Sequence, residues 1–126
     1  MKKRDTLEIP KEAWEDYLTS LSNREQAHPV RIRIEGTELG DQVLADSMPL
    51  VGISLERKGS EANAIEVTLA HEDDSNLTHM IRTPEHVYVE EGEDGQVRVV
   101  DIEDTMRVKT LIFFDRYLEL PQGEGV

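Results

Sequence analysis

The sequence predicts an α+β domain in which an N-terminal amphipathic helix packs on a curved, mainly antiparallel meander sheet, or partly closed roll, of about seven strands. Apolar residues recur at helical spacing near the N-terminus, and nearly everything after residue 29 alternates apolar and polar residues with period two. The connections between the alternating segments are short, and none holds a helix long enough for a parallel crossover. These three observations favour neighbouring strands that run antiparallel.

The predicted helix covers residues 10–21, with an extension to Gln26 as the alternative. Pro10 suits its first position, because the missing N–H would have no partner there. Ser22 with Glu25 is predicted to cap a further short turn. One face of the helix carries its large apolar residues: Trp14, Tyr17, Leu18 and Leu21.

The chain of 126 residues is predicted to form a single domain. Residues 1–9 are expected to form a loose N-terminal arm, since residues 1–8 show no pattern. Residues 121–126, which are small, polar and glycine-rich, are expected to fray.

Alternating segments predict seven strands: residues 30–35, 42–47, 48–55, 65–69, 77–91 with a bend at Pro84, 97–102 and 107–114. In the second of these, Val43 and Ala45 are expected to point inward. Gly52 marks a bulge or a close approach of another backbone. The Asp94-Gly95 pair predicts a hairpin turn.

The densest apolar run of the chain lies in the last predicted strand, at residues 111–114 (Leu-Ile-Phe-Phe). It contains both phenylalanines of the chain, so either face of the strand would need apolar cover. We therefore expect an interior strand, buried on both faces, that the helix bearing Trp14 shields from water.

The chain carries 27 Asp and Glu against 14 Lys and Arg, a net charge of -13. A field of that sign repels phosphate backbones and anionic lipid, so neither nucleic acid nor a membrane is expected as a partner. The absence of cysteine excludes thiolate chemistry and fits a cytoplasmic location. The acidity also suggests the hypothesis of a salt-rich cytoplasm, where screening shortens the repulsion between surface acids.

A metal site is the first candidate for chemistry. Imidazole together with carboxylate suits zinc, iron or manganese. Against this interpretation, the sequence has no tight pair of histidines, and a histidine on an apolar strand face is more often a core residue. The candidate ligands are His71, His79 and His86, with Glu72, Asp73, Asp74 and Glu85 nearby.

Two further acidic patterns have simpler interpretations. Residues 90–95 superficially resemble a calcium loop, but their spacing departs from the EF-hand and fits a hairpin turn. Glu103 and Asp104 are a possible carboxylate pair, although an acid and a base need a cleft that separates their pKa values, and the sequence shows none. No catalytic residue and no cofactor are therefore expected.

The last candidate function is association with another protein chain through a strand edge. Residues 42–47 and 115–120, if they lie at sheet edges, offer unpaired backbone groups to a partner strand. A self-paired edge would give a two-fold dimer. Charged residues there, such as Asp46, Asp115 and Glu119, would instead blunt such edges.

Several segments together resemble a small bacterial family of uncharacterised domains, a domain-of-unknown-function family. They are Trp14 with residues 17–22, residues 48–54 (Met-Pro-Leu-Val-Gly-Ile-Ser), residues 77–84, and Ile102-Glu103-Asp104 followed by Lys109-Thr110-Leu111. The resemblance implies one compact domain and brings no activity, cofactor or site residue. Where the family would have a glycine after Asp104, this chain has residues 105–107 (Thr-Met-Arg).

The best interpretation of the sequence is a non-catalytic cytoplasmic binding or accessory domain that acts through association with a protein partner or with itself. The alternative is a metal-dependent enzyme that uses His79 and His86 with nearby carboxylates.

Overall fold

The computed structural model describes residues 5–114, apart from residues 37, 39, 58 and 60–62. One α-helix follows a short 3-10 turn at Lys11–Ala13. The elements are β1 (Asp5–Ile9), α1 (Trp14–Arg24), β2 (Pro29–Glu35), β3 (Gln42–Leu55), β4 (Ile65–Ala70), β5 (Asn76–Ile81), β6 (Pro84–Glu91), β7 (Val97–Asp104) and β8 (Lys109–Phe114).

The eight strands form one open sheet in the order β1-β6-β7-β8-β2-β3-β4-β5. All neighbouring strands are antiparallel, which confirms the predicted α+β class and strand direction. The sheet holds two meanders, β3-β4-β5 and β6-β7-β8, and β2 joins them because it lies between β8 and β3. The prediction of a partly closed roll was wrong, because β1 and β5 end the order without pairing with each other.

The strand absent from the prediction is β1, which pairs with β6 from Asp5 to Ile9. The predicted loose arm at residues 1–9 was therefore wrong for residues 5–9. The indole Nε1 of Trp14 donates a hydrogen bond of 2.8 Å to the Ile9 carbonyl, so the helix holds the end of this strand. Residues 1–4 and the predicted frayed tail at 121–126 lie outside the described residues.

The helix α1 confirms the predicted amphipathic pattern, since Trp14, Leu18 and Leu21 are buried. It packs mainly against β3. Ser22 does not cap a further turn as predicted; its hydroxyl bonds to the backbone of Ile53. The helix thus reaches the sheet through an apolar face and one polar contact.

The strand β8 lies inside the sheet, between β7 and β2. Its residues Ile112 and Phe114 are buried in the core cluster that also contains Trp14, as predicted. The opposite face is only half-buried, so the prediction of burial on both faces was wrong. On that face, the guanidinium groups of Arg31 and Arg33 lie 5.0 and 5.8 Å from the centre of the Phe113 ring.

The strand β3 is shared by two parts of the sheet. Residues 42–49 pair with β2, and residues 50–55 pair with β4. Three register shifts interrupt these ladders, and Ser47 has a left-handed backbone with φ 61°. Because each bulge bends a strand and changes its alternation, β3 can serve both parts of the sheet.

The bulges explain why the predicted side-chain directions in β3 are right at one residue and wrong at another. Ala45 is buried as expected, but Val43 is 67% exposed, so its predicted inward direction was wrong. The shift between Leu50 and Gly52 confirms the predicted bulge at the glycine.

Candidate functional site

On one side of β3, the backbone N–H and C=O groups have hydrogen-bond partners along most of the strand. Beyond the pairing with β2, the Leu50 N–H donates to the His28 carbonyl, and the Ala27 N–H donates to the Leu50 carbonyl. Further along, the Ser22 Oγ accepts from the Ile53 N–H at 2.7 Å and donates to the Ile53 carbonyl at 2.8 Å. A side chain of the helix therefore substitutes for a neighbouring strand.

On the other side of β3, the described residues provide a paired strand only over residues 50–55, where β4 pairs with it. Among the residues that the structure describes, no strand pairs with this side of residues 42–48, which we call the open edge. It begins where β4 ends, beside a cleft of about 510 Å³ between residues 46–49 and 70–73. An open edge of this kind presents backbone N–H and C=O groups to a partner strand.

The open edge is also apolar. Five large apolar side chains of the described residues are exposed, and three of them lie on β3: Val43, Leu44 and Val51. Val43 and Leu44 belong to the open edge, with 67% and 37% of their surface exposed. Exposed apolar side chains beside unpaired backbone are typical of an association site.

Asp46 is the one charged residue of the open edge. It lines a shallow groove of about 80 Å³ together with Arg31, Arg33, Val43 and Phe113. The carboxylate therefore shares its surroundings with two guanidinium groups. Arg33 also donates to Glu35, with 2.6 Å between Nη2 and Oε2.

The three candidate histidines lie on different elements. His71 is exposed in the turn after β4, His79 is half-buried on the outermost strand β5, and His86 is half-buried on β6. Within the described ranges, no three histidine or acidic side chains come together in a group that could hold a metal ion.

His79 and His86 also differ electrostatically. Burial lowers the pKa of His79, because the charged imidazolium loses hydration. The Nδ1 of His86 is 2.8 Å from Oε2 of Glu8, and this hydrogen bond raises the pKa of His86. The ring of His86 also stacks on Tyr88, with 5.7 Å between the ring centres. His86 thus links β6 to the neighbouring strand β1.

Both acidic candidates have structural roles. The Asp94-Gly95 turn joins β6 to β7 as predicted, with Gly95 at φ 80°. Asp104 accepts the N–H groups of Met106 and Val108 at 2.8 and 3.0 Å, so its carboxylate organises the next turn. Arg107 has a left-handed backbone there, with φ 69°. That conformation is the one for which a glycine would be expected.

The sequence identified residues 42–47 as a possible edge, and the structure supports it for the side away from β2. The second predicted edge, residues 115–120, lies outside the described residues. Sequence reasoning missed the contact of Ser22 with the Ile53 backbone and the two arginines over Phe113. The alternation of β2 predicts that both arginines lie on its solvent-exposed face. Their position over Phe113 depends on the register of β2 with β8, which the alternation does not give.

A family model described as a family of unknown function (DUF5335) matches residues 5–123. A protein of Aquifex aeolicus (strain VF5), described as uncharacterized, is 32% identical over 117 residues, which cover 93% of this chain and 98% of the relative. No solved structure matches the chain. In the described part of the chain, no helix is long and apolar enough to cross a membrane.

Proposed function

Since the chain belongs to a family of unknown function (DUF5335), we propose its function from the open edge: it is a non-catalytic, cytoplasmic accessory domain that binds protein by strand addition. The observation that carries this proposal is the first half of β3, which among the described residues has backbone pairing on one side only and exposes Val43 and Leu44. Strand addition uses such an edge, because backbone bonds supply affinity and adjacent side chains supply specificity.

The free energies of the backbone hydrogen bonds and of apolar burial can be compared with the cost of association. A partner strand that makes about four backbone hydrogen bonds would gain about 2–6 kcal/mol, at about 0.5–1.5 kcal/mol for each bond. Association costs about 4–15 kcal/mol in lost freedom of motion. Over most of these two ranges the hydrogen bonds gain less than association costs. Burial of Val43 and Leu44, worth about 1–2 kcal/mol each at their present exposure, then supplies part of the difference.

A photo-crosslinking amino acid at position 43 of the full chain tests this proposal in cells that make the protein. The control places the same amino acid at Met106, which is 77% exposed in the turn between β7 and β8. We expect protein adducts from position 43 and few or none from position 106. If the two positions give the same adducts, or position 43 gives none, the open edge is not a binding site.

A further inference from the structure

We propose that β5 is an acid-sensitive cover on β4, and that it opens locally when the imidazole of His79 takes up a proton. The device is separate from strand addition at the open edge of β3. β5 ends the order of the sheet, so among the described residues it pairs with β4 alone. Its opening leaves the backbone of residues 65–70 without a partner on one side, beside the apolar side chains of β4.

Fewer contacts hold β5 than hold the strand at the opposite end of the sheet. There, side chains of neighbouring elements bond to Ile9 and Glu8 of β1. In the part of the chain that the structure describes, no β5 side chain makes a hydrogen bond or an ion pair. The strand is held by its backbone ladder to β4 and by burial of Leu77 and Ile81. An element with so few contacts is among the first to open.

His79 lies on the core face of this strand. In the sheet it is opposite Val67, which is opposite Ile53 in turn, and both of these side chains are buried. The half-buried imidazole is therefore the last member of a row that crosses three strands. Its neighbours on the same face of β5 are Leu77 and Ile81. A proton on this ring places a charge against apolar side chains, which is unfavourable.

The charged groups of the neighbouring strands do not compensate for that proton. Glu66 is the one titratable residue of β4, and alternation places it on the other face of the sheet. Asp46 is the one titratable residue of β3, and it lies in the groove with Arg31 and Arg33. Burial alone lowers the pKa of His79, so no charged side chain of the described residues stabilises the imidazolium.

The direction of the pH effect follows from the difference between the paired and the released strand. Release exposes the ring of His79 to water and returns its pKa to the ordinary value of 6.5. Well above that value the ring is neutral in both states, and pH has no effect on release. Below it, the released strand takes up a proton before the paired strand does, which favours release. One proton changes the opening equilibrium by at most about tenfold for each pH unit.

Hydrogen exchange of the full chain, followed by NMR at about pH 7.5 and about pH 5.5, tests this device. Both conditions lie above the pI of about 4.6. Protection factors remove the direct effect of pH on the exchange chemistry. For the β5 amides that donate to β4, we expect protection to fall by up to about tenfold at the lower pH. Protection of β7, which lies inside the sheet, should change little.

Three variants identify the group that takes up the proton. His79→Leu cannot titrate and keeps the position apolar, so its β5 protection should be the same at both pH values. His79→Gln cannot titrate either but is polar, and it should give the same result if leucine alters the packing. His71→Gln is the control, because His71 is exposed in the turn before β5. This control should keep the full pH dependence.

Unchanged protection of β5 in the native chain would overturn the proposal, and so would an equal fall in both His79 variants. A fall of the same size in β5 and β7 would mean that the proton unfolds the whole domain, which contradicts local release. Position 43 takes no part in these measurements. Acid-sensitive opening and strand addition at the open edge therefore fail or succeed separately.

Discussion

Replacing Ser22 with alanine tests whether one side chain completes the hydrogen bonding of β3. The Ser22 hydroxyl makes two bonds to Ile53, of 2.7 and 2.8 Å, and Ile53 itself is buried. In Ser22→Ala, the N–H and the carbonyl of Ile53 both lose their partner. We expect this substitution to be among the most destabilising that remove a single atom from the helix.

The size of the effect follows from those two groups. A buried donor or acceptor without a partner costs about 1–3 kcal/mol, so two such groups cost about 2–6 kcal/mol. Because both bonds are only partly buried, we expect a loss at the lower end of that range, about 2–3 kcal/mol. For a domain of this length, 1 kcal/mol shifts the melting temperature by about 4 °C. Ser22→Ala should therefore lower the melting temperature by about 8–12 °C.

The control is Ser20→Ala, because Ser20 lies exposed on the same helix. Both substitutions gain the same helix propensity, up to about 0.5 kcal/mol, so the difference between the two variants isolates the bonds to Ile53. Thermal melts followed by circular dichroism measure it, and urea titration gives the free energy of unfolding. A Ser22→Ala protein that melts within about 2 °C of Ser20→Ala would refute the reasoning.

Two further predictions concern a turn and a strand contact. Gly36 and Gly40 both have positive φ, but a Cβ at Gly36 would lie 2.9 Å from the Arg107 carbonyl oxygen and one at Gly40 would meet nothing within 4 Å. Gly36→Ala should therefore destabilise the fold by about 1–3 kcal/mol more than Gly40→Ala in urea titration, and equal losses would contradict this steric reason. The raised pKa of His86, caused first by its bond to Glu8, means that this contact stabilises the fold fully below the ordinary value of 6.5 and loses its effect as pH rises through the raised pKa. Melts should show Glu8→Gln less stable than the native protein near pH 5.5, with the difference shrinking by about pH 8.5; a constant difference would indicate only a general charge effect.

Periodicity predicted most of the strands, because apolar and polar residues alternate where one face of a strand is buried. It failed where the alternation breaks. Val43 was assigned to the inner face because it is two residues from Ala45, but the extra residue in β3 turns it outward. A bulge leaves no clear mark in a single sequence unless a glycine accompanies it, as at Gly52.

The strand β1 was missed for a different reason. It is five residues long, and its alternation is brief, with Ile9 buried at its end. Its place is determined by tertiary contacts, namely the pairing with β6 and the bond from Trp14. Such long-range contacts cannot be derived from local pattern.

The candidate site was predictable in part. The segment at residues 42–47 was predicted from its alternation as a strand that would be a binding site if it lay at an edge, but whether a strand is an edge depends on the order of the sheet. Only the three-dimensional structure shows that β4 stops short of residues 42–48. The same order separates His79 from His86, which their closeness in the sequence does not reveal.

The order of the sheet also affects how the protein forms on the ribosome. β1 and β2 are made early, yet β1 pairs with β6 and β2 pairs with β8, which ends at Phe114. At about 5–20 residues per second, roughly eighty residues of synthesis separate β2 from its second neighbour, a delay of about 4–16 s. Until then, β2 keeps one side exposed in the nascent chain. A pause in translation before Phe114 would therefore prolong a state that is open to misassembly.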